Sequence, residues 1–317
     1  MLNYCKIPFD YLKFDGVDRL DLINRLSTNK VDNLGKLKGI KTVLTSDKGR
    51  FVDLLTLYNF GDFVFASCSF KNSGAVIVHL DKYTIMDDFK VTDMAGTHQS
   101  ILFYGDYAGK YAEDLFEIDV SGFDNNDFGI YVEDERHSIL AKNDDALGGF
   151  LLIYASKDSD FYNKKLFAKG LKEKFGLREI SAEEYDLERI RNGIPKFGIE
   201  MIDETNPLEC GLNKYVSFTK GCYIGQEVIA RLDTYDKISK HLVRLEISNE
   251  LPVGFKPEGA KISVDNKECG FVTSFAHSQK NGNIGLGFIK TAFLDFEKTY
   301  IIRFNQNEIN CRIVKIN

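Results

Sequence analysis

Lys220-Gly221-Cys222-Tyr223-Ile224-Gly225-Gln226-Glu227 is the stretch on which the reading of this chain turns. Its two glycines permit tight backbone turns on either side of Cys222 and Tyr223, and Gln226–Arg231 reads as the start of a short helix. A thiol held beside a helix N-terminus and next to Lys220 has its thiolate favoured by the helix dipole and by the cation, which makes Cys222 the candidate reactive thiol. Tyr223 and Gln226 would shape that neighbourhood, whereas Glu227, if it faced the sulfur, would oppose ionisation by like-charge repulsion. On residue type alone, a free Cys is more often a small buried hydrophobe than a reactive group.

Downstream of the motif the periodicity changes. From His241 onward Val243, Leu245 and Ile247 alternate with Arg244 and Glu246, and Ile309, Cys311 and Ile313 alternate in the same way. Turn signals at Pro252-Val253-Gly254, Asn281-Gly282 and Asn305-Gln306-Asn307 separate these short runs, so residues 240–317 are expected to form a separate small β-barrel, with a boundary after residue 239. Upstream, Ser181-Ala182-Glu183-Glu184 is a capping-box pattern opening a helix that carries Leu187 and Ile190 and stops at Gly193 and Pro195.

Further toward the N-terminus, Leu20, Ile23 and Leu26 recur at helical spacing over Asp18–Leu26. Strand-like runs are expected at Thr42–Leu44, Phe51–Tyr58, Phe63–Ala66, Ile101–Tyr104, Ile139–Ala141 and Leu151–Tyr154. Helices are expected at Lys110–Phe116, over Phe161–Phe175 and up to Leu80, the last with Ser69 as a possible cap. Strands and helices intermix without a strict βαβ rhythm, which gives the α+β class.

Composition narrows the function. A chain of 317 residues is long enough for two domains or slightly more. Its 41 basic and 47 acidic side chains leave a net charge of −6, which disfavours strong nonspecific nucleic-acid binding, a mode that needs surplus Lys and Arg. The longest apolar runs, Phe150–Ala155 and Ala75–Val78, are far short of the roughly 20 residues of a membrane-crossing helix. The N-terminus lacks a basic region followed by an apolar stretch, so a cytoplasmic location is expected.

Six cysteines have no C-x-x-C spacing and no neighbouring His, so no metal site is expected, and thiols in a reducing compartment stay free. Gly105–Tyr111 fails the phosphate-loop pattern and reads as a turn; Gly282, Gly285 and Gly287 sit among strands and read as barrel bends.

The eight-residue motif resembles the K-G-C-Y-x-G-Q-E signature of the YgfZ-type folate-binding proteins, relatives of the glycine-cleavage T-protein. Val216-Ser217-Phe218-Thr219 and Val228-Ile229-Ala230-Arg231 flank it in keeping with that family. Arg189-Ile190-Arg191-Asn192-Gly193-Ile194-Pro195 resembles its R-x-x-x-G-x-P helix end, and Gly16-Val17-Asp18 and Gly49-Arg50-Phe51-Val52-Asp53 fit more weakly.

The resemblance implies a three-lobed ring of interleaved α+β domains, two of them within residues 1–239, with a C-terminal β-barrel and tetrahydrofolate or a derivative bound in the central opening. It also implies a role in assembly or maintenance of iron–sulfur enzymes, including one that thiolates tRNA, with iron–sulfur client or assembly proteins as partners and Cys222 implicated in that work. Arg189, Lys220, Tyr223, Gln226 and Glu227 then become candidate folate contacts, Arg189 because a guanidinium can pair with a glutamate tail or a pterin edge.

A second implication follows from Pro195–Glu200 and Pro207–Leu212, which look more like the T-protein. On that reading the chain is a tetrahydrofolate-dependent aminomethyltransferase acting on a lipoyl carrier protein, with Asp53 positioning the folate amine. Leu54 beside Asp53 leaves the strand register open by one residue, enough to turn a side chain to the opposite face. Direct tRNA binding, a third reading, is opposed by the acidic balance.

Overall fold

The computed structural model describes residues 2–234, 237–248, 251, 252, 254–278 and 282–316. Val253 and Asn281, each part of an expected turn, lie outside the described residues. The chain forms two compact units. The first comprises the residues up to Ser46, Val52–Ser181 and Tyr215–Ile224, and the second Asp47–Phe51, Ala182–Lys214 and the residues from Gly225 onward.

Seventeen strands can be numbered along the described chain. One sheet of the first unit contains β2 (Phe9–Asp15), β3 (Gly39–Thr45), β4 (Phe51–Asn59), β5 (Val64–Ser69) and β6 (Lys90–Asp93), in the order β3-β4-β5-β2-β6. Helices α1 (Arg19–Leu26) and α2 (Ser73–Tyr83) cover one face. Leu22, Ile23 and Leu26 of α1 and Val76 and Leu80 of α2 pack there with Leu12, Phe14, Leu55, Leu57, Val64 and Ala66. The helical spacing of the first set and the two-residue period of the second bring every apolar group to one layer.

The other sheet contains β1 (Asn3–Lys6), β7 (His98–Tyr104), β8 (Phe128–Glu133), β9 (Arg136–Lys142), β10 (Phe150–Ala155) and β11 (Arg178–Glu179), in the order β11-β1-β7-β10-β9-β8. Its core includes Ile101, Phe103, Leu140 and Leu152 packed with Tyr111, Leu115 and Phe116 of α3 (Ala108–Phe116) and Tyr162 and Leu166 of α4 (Ser159–Leu166).

In place of one helix over Phe161–Phe175, α4 ends and α5 (Lys169–Phe175) begins anew. The break has a local cause. The Leu166 carbonyl accepts the Tyr111 hydroxyl, and Phe167 turns in against Tyr4, with ring centroids 4.7 Å apart. Strand β2 went unread because its buried face carries Asp10 with Leu12 and Phe14 while its half-exposed face carries Tyr11, so residue type does not follow the two-residue alternation.

The second unit holds α6 (Ala182–Arg191), α7 (Gln226–Thr234) and a closed six-stranded barrel. The barrel strands are β12 (Lys240–Ile247), β13 (Lys261–Val264), β14 (Lys267–Ser278), β15 (Gly282–Lys290), β16 (Thr299–Phe304) and β17 (Asn307–Val314), closed in the order β12-β15-β14-β13-β16-β17. Closure removes the exposed edges that an open sheet of this length would carry. The glycines of β15 permit it: a Cβ at Gly285 would stand 2.7 Å from the Ser274 carbonyl oxygen, and one at Gly287 2.7 Å from that of Phe271. No described helix is long and apolar enough to cross a membrane.

Candidate functional site

In the first unit the signature loop is fastened to the C-terminal end of α1. Lys220 Nζ donates to the carbonyl oxygens of Asn24 at 2.6 Å, Ser27 at 2.9 Å and Asn29 at 2.6 Å. Those are the acceptors a helix leaves unpaired at its C-terminus, where the dipole also favours a cation. The Ile224 N–H donates to the Arg25 carbonyl, the Ile224 carbonyl accepts from Thr45 Oγ1, and the Ser217 N–H donates to the Thr28 carbonyl.

Lys220 is buried, and desolvation pushes its ammonium down to about 8. Its Nζ also stands 5.1 Å from the Tyr223 ring centroid. Tyr223 is buried as well, which pushes its phenol up to about 12.

Between these two anchors, Cys222 is exposed, while Cys5, Cys68, Cys210, Cys269 and Cys311 are buried. Burial pushes the thiols of Cys5, Cys210 and Cys311 up to about 12 and raises those of Cys68 and Cys269 as well. The expected pairing of Lys220 with the Cys222 thiolate takes a different form here. All three ammonium protons point to backbone carbonyls, so Lys220 fixes the loop that presents the sulfur.

Asp53 lies on β4 and is fully buried. Its Oδ1 accepts the Leu54 N–H at 2.7 Å and the Ser69 hydroxyl at 2.7 Å, and its Oδ2 accepts the Ser69 N–H at 3.1 Å and Asn72 Nδ2 at 2.8 Å. Desolvation raises its pKa against these bonds. Four donors fill the four acceptor sites of a carboxylate, so Asp53 ties β4 to the turn that leads into α2. Ser69, expected as a helix cap, serves this tie instead, and α2 begins at Ser73.

The pairing of β4 with β5 also resolves the register. Leu57 opposes Ala66, in the layer under α1 and α2, whereas Tyr58 opposes Phe65 and Thr56 opposes Ser67 on the other face. By alternation Asp53 belongs to the helix-covered face and Leu54 to the face of Thr56 and Tyr58.

On that second face Tyr11 stacks on Phe65 with ring centroids 5.1 Å apart, and His98 stands 5.5 Å from Tyr11 and 5.0 Å from Phe65. Thr56, Ser67 and Ser100 add buried hydroxyls. These rings pack on one another as a buried aromatic layer. Tyr11, Tyr58, Phe65 and His98 escaped the sequence reading, and recognising β2 as a strand is the signal that would have brought in Tyr11.

Arg189 belongs to the second unit and is 3% exposed. Its Nε donates to Asp186 at 2.6 Å, Nη1 to Glu200 at 3.3 Å and to the Ile194 carbonyl at 3.4 Å, and Nη2 to Ser274 Oγ at 2.7 Å. Glu200 is fully buried and also accepts Thr273 Oγ1, Ser274 Oγ and the Lys196 N–H. Arg189 thus joins α6 to β14 through buried partners. Gln226 and Glu227 open α7, half-buried and exposed respectively. A cleft of about 330 Å³ is lined by Glu227, Val228, Arg231, Leu232 and Lys237. Among the described residues no cluster of His, Cys, Asp and Glu could hold a metal ion.

A mixed α+β chain that ends in a closed six-stranded barrel is the architecture of the aminomethyltransferase T-proteins. The crystal structure of glycine cleavage system aminomethyltransferase T from Bartonella henselae superposes with a TM-score of 0.84 over 99% of this chain and 85% of that one, at 14% identity, a likeness of fold.

Family profiles make the assignment. The GCVT N-terminal domain matches residues 8–220 and the glycine cleavage T-protein C-terminal barrel domain residues 240–316, so the chain belongs to the glycine-cleavage T-protein family. A chloroplastic Arabidopsis thaliana protein, provisionally named a transferase, is 28% identical, with 89% of this chain and 63% of that protein covered. The chain thus spans less than two thirds of that relative's length. An aminomethyltransferase of Flavobacterium psychrophilum is 24% identical, with coverage of 95% and 83%.

Proposed function

We propose that this chain is a YgfZ-type member of the T-protein family: a folate-binding accessory protein that supports the assembly or maintenance of iron–sulfur enzymes, including tRNA-thiolating ones. The observation that carries this reading is the contrast between two residues of the first unit. Asp53, on which aminomethyl transfer would depend, has its four acceptor sites filled by the chain's own donors, while Cys222 is an exposed thiol on a loop anchored by Lys220.

Tetrahydrofolate or a derivative is the proposed ligand, supported by membership of the glycine-cleavage T-protein family. Iron–sulfur client or assembly proteins are the proposed partners and a cytoplasm the proposed location. Depletion in cells tests the reading. Activities of iron–sulfur enzymes are expected to fall and to be restored by the wild-type chain but not by Cys222→Ser; full activity in depleted cells rejects it.

The second reading, a tetrahydrofolate-dependent aminomethyltransferase, is favoured by the family itself and by relatives that bear that name. A bound reduced folate would supply the one-carbon acceptor. Release of ammonia from an aminomethylated lipoyl carrier protein, dependent on tetrahydrofolate and on this chain, is its test.

A further inference from the structure

The segment Tyr215–Ile224 belongs to the first unit, while the chain on either side of it, Ala182–Lys214 and the residues from Gly225 onward, belongs to the second. Its place in the first unit therefore rests on the contacts it makes there. The anchors already described, at Asn24, Arg25, Ser27, Thr28, Asn29 and Thr45, come from α1, β3 and the chain between them. A further anchor comes from the six-stranded sheet.

Asp144 lies on the loop between β9 and β10, with its side chain 5% exposed, and pairs with Lys41 of β3. The Tyr215 hydroxyl donates to the same carboxylate oxygen at 3.1 Å, and the Lys41 ammonium stands 5.7 Å from the Tyr215 ring centroid. Burial and the Asp144 carboxylate raise the pKa of the Tyr215 phenol, which keeps it a donor. A carboxylate withdrawn this far from water needs both its cation and its hydrogen bond.

Two routes lead from Asp144 to the signature loop. Along the first, the Tyr215 carbonyl accepts Thr28 Oγ1 at 2.7 Å, and the Thr28 carbonyl accepts the Ser217 N–H at 2.9 Å. Along the second, the Lys41 carbonyl accepts Asn29 Nδ2 at 2.9 Å, and the Asn29 carbonyl is one of the three that hold Lys220. Both end a few residues ahead of Cys222.

We propose that Asp144 is a positioning residue for the Cys222 thiol, the point at which the six-stranded sheet fixes the signature segment. The place of the thiol then depends on both sheets of the first unit. The inference rests on the reading of Cys222 as the working thiol. Its test needs neither a folate nor an iron–sulfur client, so it can fail while that reading stands.

Two double variants remove the buried ion pair alike but differ at the acceptor. Lys41→Met with Asp144→Asn keeps a side-chain oxygen for the Tyr215 hydroxyl; Lys41→Met with Asp144→Ala does not. Hydrogen exchange of the Ser217 amide and labelling of Cys222 by a thiol reagent are read on the full, native chain. Both are expected to run at least about fivefold faster in the Ala pair than in wild type, and within about twofold of wild type in the Asn pair.

Tyr215→Phe is expected to match the Ala pair and to change nothing further when added to it, because partners in one interaction are not additive. Ile101→Val, in the core of the six-stranded sheet, is expected to leave both rates as in wild type, which separates positioning from a general loss of stability. Equal rates in the two pairs, a Tyr215→Phe protein that behaves as wild type, or an Ile101→Val protein that behaves as the Ala pair overturns the inference.

Discussion

The Lys220 ammonium nitrogen lies 2.6 Å from the carbonyl oxygen of Asn24, a residue 196 positions earlier in the chain. With Ser27 and Asn29 completing the set, a single cation closes the C-terminal end of α1 and fixes the loop that carries Cys222. Replacing Lys220 by Met retains much of the side chain's bulk but leaves three carbonyls without their donor. A loss of about 2–4 kcal/mol is expected in urea unfolding, with faster amide exchange over 220–224 than elsewhere in the first unit. Lys220→Arg is expected to recover only part of the loss, because a planar fork does not meet three convergent acceptors as an ammonium does.

Thiol labelling of the native protein is expected to show one fast site. At pH 8 Cys222 should react at least about tenfold faster than the other five thiols, whose burial both shields them and raises their pKa. Mass spectrometry of the labelled peptides reads this directly, and Cys222→Ser should abolish the fast phase.

Asp53→Ala is expected to destabilise the first unit by about 1–3 kcal/mol, since the Ser69 and Asn72 donors lose a buried acceptor. Asp53→Asn is no rescue, because its amide turns a donor toward other donors. Where the variants remain folded, calorimetry is expected to give tetrahydrofolate affinity within about twofold of wild type, as befits a tie whose acceptor sites are filled from within the chain.

Arg189→Met is expected to cost about 3–5 kcal/mol by leaving the Glu200 carboxylate buried without its cation. Adding Glu200→Gln should restore a substantial part. Thermal unfolding of the two variants measures the recovery, and a folate contact at Arg189 predicts none of it.

Alkaline pH is expected to weaken the fold. Free thiols ionise near pH 8.5–9, but Cys5, Cys210 and Cys311 do so at about 12 in the folded chain. Above the unfolded value the folded state therefore binds more protons than the unfolded one. Their stabilising contribution is complete below about pH 8.5 and is lost as pH rises toward 12, at up to about 1.4 kcal/mol per group per pH unit. Urea midpoints at pH 8 and pH 10.5 under reducing conditions should show the fall, with Cys311→Ala reducing its steepness.

Local patterns alone determined the α+β class, the first and last barrel strands and the helix opened by the Ser181 capping box, because side-chain periodicity and turn chemistry act within a few residues. The eight residues from Lys220 to Glu227 pointed, by resemblance, to a T-protein relative, and the family profiles agree at that level. Which groups Lys220, Asp53 and Arg189 meet was decided only by folding.

Each of these is a charged group whose role depends on partners far away in sequence: Asn24 for Lys220, Ser69 for Asp53, Ser274 for Arg189. A buried charge must find such partners or carry a large desolvation cost, and which partners it finds is set by the packing of distant elements. The one-residue alternation that turns Asp53 inward and Leu54 to the opposite face is likewise a matter of pairing with β5, which no spacing within β4 could reveal.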